Sequence, residues 1–316
     1  LSEESHFVQK FWSLLFGAIM LGALLLFVVA PFVGWWMPKN VATFGGGIDA
    51  LFYVILVVTA IFFVLTEAIL VYNMYRFAAR PGQKSTYIHT HHKLEMIWTL
   101  VPGVLLFLLA VVQIRVWAEV KFQKNMPKPD GTTQQMEVTA KQWEWRVRYP
   151  SSKTMESWEK DPKLADKYDQ KPDFDDVHLA NEIHVWQGSK VLVHLKTRDV
   201  IHSFFLPNLR LKQDALPGKT IPVWFSVTEH NTEKVVDPST GAARWVEIGG
   251  YDRTTRQPNR PDMIWELACA EFCGTRHSMM RGKLYVHKDK ADFLDWLKHA
   301  EAEQNRREPT QAVAAR

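Results

Sequence analysis

The sequence predicts a chain of two unlike parts, α-helical membrane segments followed by an all-β domain that ends in a metal-binding loop. Three observations predict it. The runs Phe11 to Val33, Leu51 to Tyr72 and Met96 to Trp117 are apolar and match the ~20 residues needed to cross a hydrocarbon core. From about Asn125 onward the composition is that of a water-soluble domain built of short alternating stretches and turns. Both cysteines of the chain fall in one segment, Cys269-Ala-Glu-Phe-Cys273-Gly-Thr-Arg-His277-Ser-Met-Met280. The expected division is residues 1–48 as an amino-terminal apolar segment, 49–122 as a transmembrane helix hairpin, 123–288 as the β domain and 289–316 as a carboxy-terminal helix and tail.

The chain has 316 residues, 47% hydrophobic and 12% aromatic, ample material for a core. Its slightly negative mean hydropathy averages a membrane half and a soluble half and describes neither. Between the second and third runs lies Arg76-Phe-Ala-Ala-Arg80-Pro-Gly-Gln-Lys84, followed by His89, His91, His92 and Lys93, with no acidic residue. Lys/Arg-rich short loops stay on the cytoplasmic side, so the neutral loop Met37 to Asp49 and the β domain belong on the other face. In a bacterium this is the periplasmic face of the inner membrane. The first run is either a cleaved secretory signal or a retained helix. Its length, and the aromatic pair in Gly34-Trp35-Trp36, favour retention. A net charge of +4, with no basic cluster interleaved with aromatics outside the membrane-flanking loop, argues against nucleic acid as a partner.

Two carboxylates lie in the apolar runs. Glu67 sits well inside the second, where a charge is costly, and is expected to be hydrogen-bonded and turned to a neighbouring helix. Glu95 opens the third run in Glu-Met-Ile-Trp-Thr-Leu-Val-Pro, where a negative charge complements the helix dipole. Pro102 in that run is expected to kink or loosen the helix.

In the soluble half, Gln135 to Val147, Asn181 to Trp186, Lys190 to Leu195 and Ile221 to Val227 read as strands. Gly188 and Pro217-Gly218 mark turns. Only Asp289 to Gln304, with Phe293, Leu294 and Leu297 on one face, reads as a soluble helix, and the polar tail after it is expected to fray. Two polar insertions, Tyr149 to Val177 and Thr228 to Met263, exceed ordinary loop length and are expected to be partner-binding excursions or poorly ordered.

The cysteine segment carries the chemistry. Two thiolates, an imidazole and a thioether form a soft donor set suited to copper, and His202 in Val-Ile-His-Ser-Phe-Phe is placed to join it from elsewhere in the β domain. Three other readings compete. A disulfide explains the cysteines but not His277 and Met280. A Cys2His2 zinc site leaves Met280 without a purpose. A thioredoxin-like copper carrier would place its cysteine pair early, between a strand and a helix.

From about Asp49 to Leu297 the chain resembles subunit II of the haem-copper cytochrome c oxidases. The matching stretches are the Cys-x-Glu-x-Cys-x-x-x-His-x-x-Met loop, Glu-Met-Ile-Trp-Thr-Leu-Val-Pro at 95 to 102, and Gln-Trp-Glu-Trp at 142 to 145. Asp-Val-Ile-His-Ser-Phe-Phe-Leu-Pro at 199 to 207 and Lys-Gln-Asp-Ala-Leu-Pro-Gly-Lys at 212 to 219 complete them. The resemblance implies a transmembrane hairpin, here with an extra amino-terminal helix, followed by a cupredoxin-like Greek-key β-barrel.

It further implies a dinuclear copper centre, CuA. Cys269 and Cys273 would bridge the two ions, His202 and His277 would bind one each, Met280 would add a weak thioether ligand, and Glu271 a backbone carbonyl. The Glu271 side chain would reach a magnesium ion shared with the catalytic subunit I. Trp143 corresponds to the exposed tryptophan that takes electrons from cytochrome c, and Glu95 to the glutamate at the mouth of a proton path. The implied activity is electron transfer from cytochrome c through CuA to haem in subunit I, where oxygen is reduced to water and protons are pumped. Glu144 and Arg198 depart from the family pattern in the region where acidic groups attract a basic cytochrome, which points to an unusual donor. No Cys-x-x-Cys-His motif is present, so no c-type haem is expected in this chain. Two alternatives to this function are a copper-free quinol-oxidase subunit, disfavoured because all six ligand positions are filled, and a copper-delivery protein.

Overall fold

The computed structural model describes residues 3–78, 82, 84, 86–252 and 254–314. Arg80 of the basic loop and the last two residues of the tail lie outside the described residues. The chain divides into two compact units, residues 1–37 with 47–116, and residues 38–46 with 117–316.

The first unit is helical. Helix α1 covers Glu3–Val29, α2 Gly45–Arg76 and α3 His92–Lys121. All three are long and apolar enough to cross a membrane. Each satisfies its backbone hydrogen bonds internally, which the hydrocarbon core requires of a spanning segment. Helix α3 runs unbroken past Pro102. Its first turn is closed by Glu95, whose Oε1 accepts from the His91 backbone N–H at 3.0 Å while Oε2 lies 3.4 Å from His92 Nδ1. Glu67 departs from expectation: its Oε2 is buried on α2 but meets no hydrogen-bond partner among the described residues.

The second unit is a two-sheet β structure of the cupredoxin type. The stretch expected as one long strand is a hairpin, β1 (Gln134–Lys141) and β2 (Glu144–Tyr149), with Gln142 and Trp143 at its turn. Then follow helix α4 (Ser152–Lys160), β3 (Val177–Ala180), β4 (Glu182–Trp186), β5 (Lys190–Thr197), β6 (His202–Leu206), β7 (Leu211–Ala215) and β8 (Ile221–Ser226). A further hairpin, β9 (Thr232–Val236) with β10 (Ala243–Glu247), precedes β11 (Glu266–Cys269), β12 (Arg281–His287) and helix α5 (Lys290–Ala314). One sheet has the order β3-β2-β1-β5-β8, the other β4-β12-β11-β6-β7. Pairing is antiparallel except for β1 with β5 and β4 with β12. Inward residues alternate along β2 as Trp145, Val147 and Tyr149, all fully buried, with Trp145 against Phe204 and Tyr149 against Phe293.

The segment 38–46 belongs to this unit: Val41 N–H donates to Asn208 O at 2.9 Å, Ala42 bridges Val227, and Phe44 meets Trp224 edge-on.

Both insertions are ordered among the described residues, because polar anchors hold them. In the first, α4 is capped by Ser151, which accepts from Thr154 N–H, and Trp158, Ala165 and Tyr168 form a small core. Beneath it, buried Arg148 pairs with Asp176 at 2.5 Å and Glu137 at 2.9 Å, and the Tyr168 hydroxyl donates to Arg148 O. A buried guanidinium is costly unless paired in this way. The second insertion contains the β9–β10 hairpin, tied through Asn231, whose side-chain amide donates to Leu284 O and accepts from Val286 N–H. Helix α5 extends past the expected end at Gln304, and its Glu301 and Gln304 bind Ser152, His178 and Asp176.

Under α5 lies a buried relay. His184 Nδ1 and His287 Nε2 are 3.1 Å apart, His287 Nδ1 is 3.0 Å from Asp292, and Trp245 Nε1 donates to the same carboxylate at 2.9 Å. Trp296 stacks on His184 at 3.8 Å. Burial lowers the pKa of both imidazoles, that of His287 to about 3 with the neighbouring His184 adding to the effect. Both therefore fold neutral, whereas in the unfolded chain they take up protons near pH ~6.5. The folded state binds fewer protons below that pH. Its stability contribution is complete above ~6.5 and is lost as pH falls toward the folded values. The thermal midpoint of the β unit is expected to decline between pH ~6.5 and ~4.5, with a shallower slope in His287→Gln, as read by near-ultraviolet circular dichroism.

Candidate metal centre

Strand pairing brings the distant histidine to the cysteine loop. Strands β6 and β11 are antiparallel neighbours with Phe204 opposite Cys269, so His202, at the start of β6, lies beside the end of β11. The loop between β11 and β12 is closed at its base by Cys269 N–H donating to Met280 O at 3.1 Å, and Ala270 N–H donates to Ser203 O at 3.0 Å. A short 3-10 turn over His277–Met279 then delivers Met280 into the core.

The sulfur atoms form the centre of the cluster. Cys269 Sγ and Cys273 Sγ are 3.8 Å apart, both free, and too far apart for a disulfide. Cys269 Sγ is 3.8 Å from His202 Nδ1 and 3.2 Å from Glu271 O, and Cys273 Sγ is 3.6 Å from His277 Nδ1 and 3.8 Å from Met280 Sδ. All six sequence-predicted ligand positions thus converge. A thiolate-bound ion lies about 2.3 Å from sulfur, so one ion can touch both cysteines across this gap. His202 and Glu271 O lie nearest Cys269, and His277 and Met280 nearest Cys273. The residues fit a pair of soft metal ions sharing two sulfurs.

The thiols are unequal. Burial opposes ionisation of Cys269, but hydrogen bonds at His202 and the Ser203 backbone outweigh it and bring its pKa to about 6. Burial, reinforced by the adjacent Cys269 charge, pushes Cys273 up to about 12. Burial also opposes protonation of His202, yet contacts with Cys269 and Asp199 raise its pKa.

Asp199 was not assigned a role from the sequence. Its Oδ1 is 2.8 Å from His202 Nε2, which leaves Nδ1 directed at Cys269, and its Oδ2 accepts from Gln142 N–H at 2.7 Å. A carboxylate on the outer nitrogen of a metal-binding imidazole fixes ring and tautomer. The signal was present in the spacing Asp199-Val-Ile-His202, three residues apart on a turn.

Trp143, at the β1–β2 turn, is half-buried. Its Nε1 donates to Cys273 O at 3.2 Å, and Gln142 Nε2 donates to the same carbonyl at 2.8 Å. Gly274 makes the approach feasible, since its φ is +118° and a Cβ there would lie 3.2 Å from the indole. The Arg276 guanidinium sits 6.0 Å from the ring centre. The Glu271 side chain is exposed, free of the sulfur cluster. Glu95 is not part of this cluster and caps α3 in the membrane unit.

Two family descriptions match the chain, the transmembrane domain of cytochrome c oxidase subunit II over residues 33–116 and the periplasmic domain of the same subunit over 135–233. The chain belongs to the cytochrome c oxidase subunit II family. It is similar to the alternative cytochrome c oxidase subunit 2 of Bradyrhizobium diazoefficiens, with 25% identity over 88% of each chain. It is also similar to cytochrome c oxidase subunit 2 of Synechocystis, 24% identical over 87% of this chain and 80% of that one. Among solved structures, the periplasmic domain of subunit II from Bradyrhizobium japonicum matches 56% of this chain and 98% of its own, with 21% identity and a TM-score of 0.36. Membership makes this chain a membrane subunit of an oxidoreductase complex. The matched ranges stop before Cys269, so the ligand assignment rests on the convergence of side chains described above.

In the metal-free chain at pH 7, iodoacetamide is expected to modify Cys269 rapidly and Cys273 slowly. Peptide mass spectrometry should show that order, and equal rates would contradict the inequality of the two thiols.

Proposed function

We propose that this subunit takes electrons one at a time from a cytochrome c and passes them, through a dinuclear copper centre of the CuA type, to haem in subunit I for reduction of oxygen coupled to proton pumping. The observation that carries the reading is the shared pair of sulfurs, 3.8 Å apart, flanked by one histidine on each side. Cys269, Cys273, His202 and His277 would hold two copper ions there, which would supply a one-electron store.

The protein's own contribution is rigidity. Cys269 and Cys273 hold the shared position, His202 and His277 terminate it, and buried Met280 and the Glu271 carbonyl complete it. Fixed donors keep the ligand geometry nearly constant between redox states, which lowers the reorganisation that electron transfer requires. Trp143 serves as the uptake residue, because its indole N–H is bonded directly to the carbonyl of Cys273. The exposed Glu271 carboxylate is suited to magnesium at the boundary with subunit I, since that ion prefers oxygen ligands. Glu95 marks the entrance of a proton path continued in another subunit; its place in the first turn of α3, beside His91 and His92, is compatible with proton collection.

The apolar helices and the basic loop before α3 support a bacterial inner-membrane location with the β unit in the periplasm. Partners on this reading are subunit I, further oxidase subunits and a cytochrome c or cytochrome c domain, with no haem bound by this chain. The mixed surroundings of Trp143, with Lys141 and Arg146 both paired to Glu144, fit a donor selected by more than simple charge attraction.

Copper analysis and electron paramagnetic resonance of the detergent-solubilised full chain test the centre. About two coppers per chain, with hyperfine splitting from two equivalent nuclei, are expected. Cys273→Ser should abolish that splitting, and a single-copper spectrum in the parent chain would refute the assignment. In the assembled oxidase, Trp143→Phe is expected to slow electron uptake from reduced cytochrome c at least about tenfold with copper content unchanged. Unaltered stopped-flow kinetics would remove Trp143 from the route.

A further inference from the structure

The sheet whose β1–β2 turn carries Trp143 has a charged outer face that the copper chemistry does not use. Strand register sets it out in rows. Thr139 on β1 stands between Arg146 on β2 and Lys196 on β5, Lys141 stands opposite Glu144, and Glu137 opposite Arg148. Arg198 follows just beyond β5, its backbone N–H donating to Ala140 O at 3.0 Å. A cleft of about 370 Å³ opens among these side chains, lined by Glu137, Arg146, Arg148, His178, Lys196 and Arg198.

Cations outnumber carboxylates on this face. Glu137 is shared by Arg148 and Lys196, and Asp176, reaching the face from the first insertion, is buried against Arg148. Glu144 is shared by Lys141 and Arg146, and it meets Arg146 through Nε of a side chain that stays half exposed. Arg198 is exposed and has no ion-pair partner among the described residues. Its neighbour Asp199 is engaged by His202 and by Gln142 N–H. Three carboxylates thus answer five cations, with His178 beside them.

Charge and position together define what covers the face. An excess of cations in a partly enclosed cleft attracts a partner that bears carboxylates, and guanidinium groups pair such groups through two parallel hydrogen bonds. A lysine-rich surface brought to the same place meets Arg198 as a like charge. The cleft also adjoins the uptake turn. Arg198 directly precedes Asp199, whose Oδ2 holds Gln142, and on the metal-loop side the exposed Arg276 puts another cation 6.0 Å from the Trp143 ring centre. A protein anchored in the cleft therefore lies beside Trp143.

We propose that this cleft seats an acidic segment of the electron donor, whose carboxylates pair with Arg198 and Arg146 while its redox centre faces Trp143. The proposal rests on the reading that electrons enter at Trp143. It makes the donor an acidic cytochrome c or cytochrome c domain, not a basic one.

The test uses the assembled oxidase in stopped flow, with a reduced acidic cytochrome c and a reduced basic cytochrome c as alternative donors. At ~20 mM ionic strength the acidic donor is expected to reduce the enzyme at least about tenfold faster than the basic one. Its rate should fall about tenfold by ~200 mM, as salt screens the attraction. Arg198→Glu should slow the acidic donor about tenfold at low ionic strength and speed the basic one, whereas Arg198→Lys should stay within about threefold of the parent. Lys288→Glu makes the same change of net charge at the end of β12 remote from the metal loop, and should leave both rates unchanged. Reduction by uncharged tetramethylphenylenediamine bypasses docking and should be equal in all variants. A basic donor favoured at low ionic strength, rates indifferent to Arg198→Glu, or an equal effect of Lys288→Glu would each overturn the proposal while leaving uptake at Trp143 intact. So would cross-linking of an Arg198→Cys variant to another subunit of the oxidase, which would show the cleft already covered. If tetramethylphenylenediamine reduces the enzyme but neither cytochrome does, cytochrome uptake itself is refuted, and this proposal with it.

Discussion

The pairing of β6 with β11 is the constraint on which the metal loop depends. A loop of soft side chains has no intrinsic reason to hold two sulfurs, two imidazoles and a thioether near one point. Here the ends of two neighbouring strands fix His202 and Cys269, and a backbone hydrogen bond from Cys269 to Met280 closes the loop at its base. The eleven-residue interval between β11 and β12 then has little freedom left. Its interior is held further by the Cys273 carbonyl, which accepts from both Gln142 and Trp143. The metal site is thus largely preorganised by the sheets, and metal binding does not have to fold the domain.

Membrane and soluble units use different physics for the same end. In the β unit, stability comes from close-packed aromatic and aliphatic side chains and from polar anchors such as Arg148, which pairs with Asp176 and Glu137. In the helical unit, apolar side chains face outward and the backbone satisfies itself. Among the described residues of that unit, the buried Glu67 Oε2 has no hydrogen-bond partner, a costlier condition in hydrocarbon than at a wet surface.

Much of this was legible in the sequence, for reasons that vary by element. The three spans were readable because crossing a bilayer demands an uninterrupted apolar run. The ligands were readable because five of six sit within twelve residues, and the sixth lies in a stretch shared with the family. The insertions were harder. Lysine- and aspartate-rich segments read as solvated loops, yet Tyr149 to Val177 is ordered by the long-range pairing of Arg148 with Asp176 and by contacts from α5, none of which leaves a local periodicity. The hairpin turn at Gln142 and Trp143 was hidden for a related reason, since alternation continues across it. The His184–His287–Asp292 relay combines residues from β4, β12 and α5 and had no contiguous signature.

Asp199 carries a consequence for how such a subunit can diverge. One of its carboxylate oxygens holds the ring of His202 and the other holds the backbone of the turn bearing Trp143. The metal ligand and the surface residue that faces a donor are therefore fastened to one side chain. Variation at position 199 changes both together, so selection on donor preference is steered to positions outside this fastening. Glu144 and Arg198 lie outside this fastening. The interior of the site and its outer face can then evolve at different speeds, with the boundary between them drawn by a single aspartate.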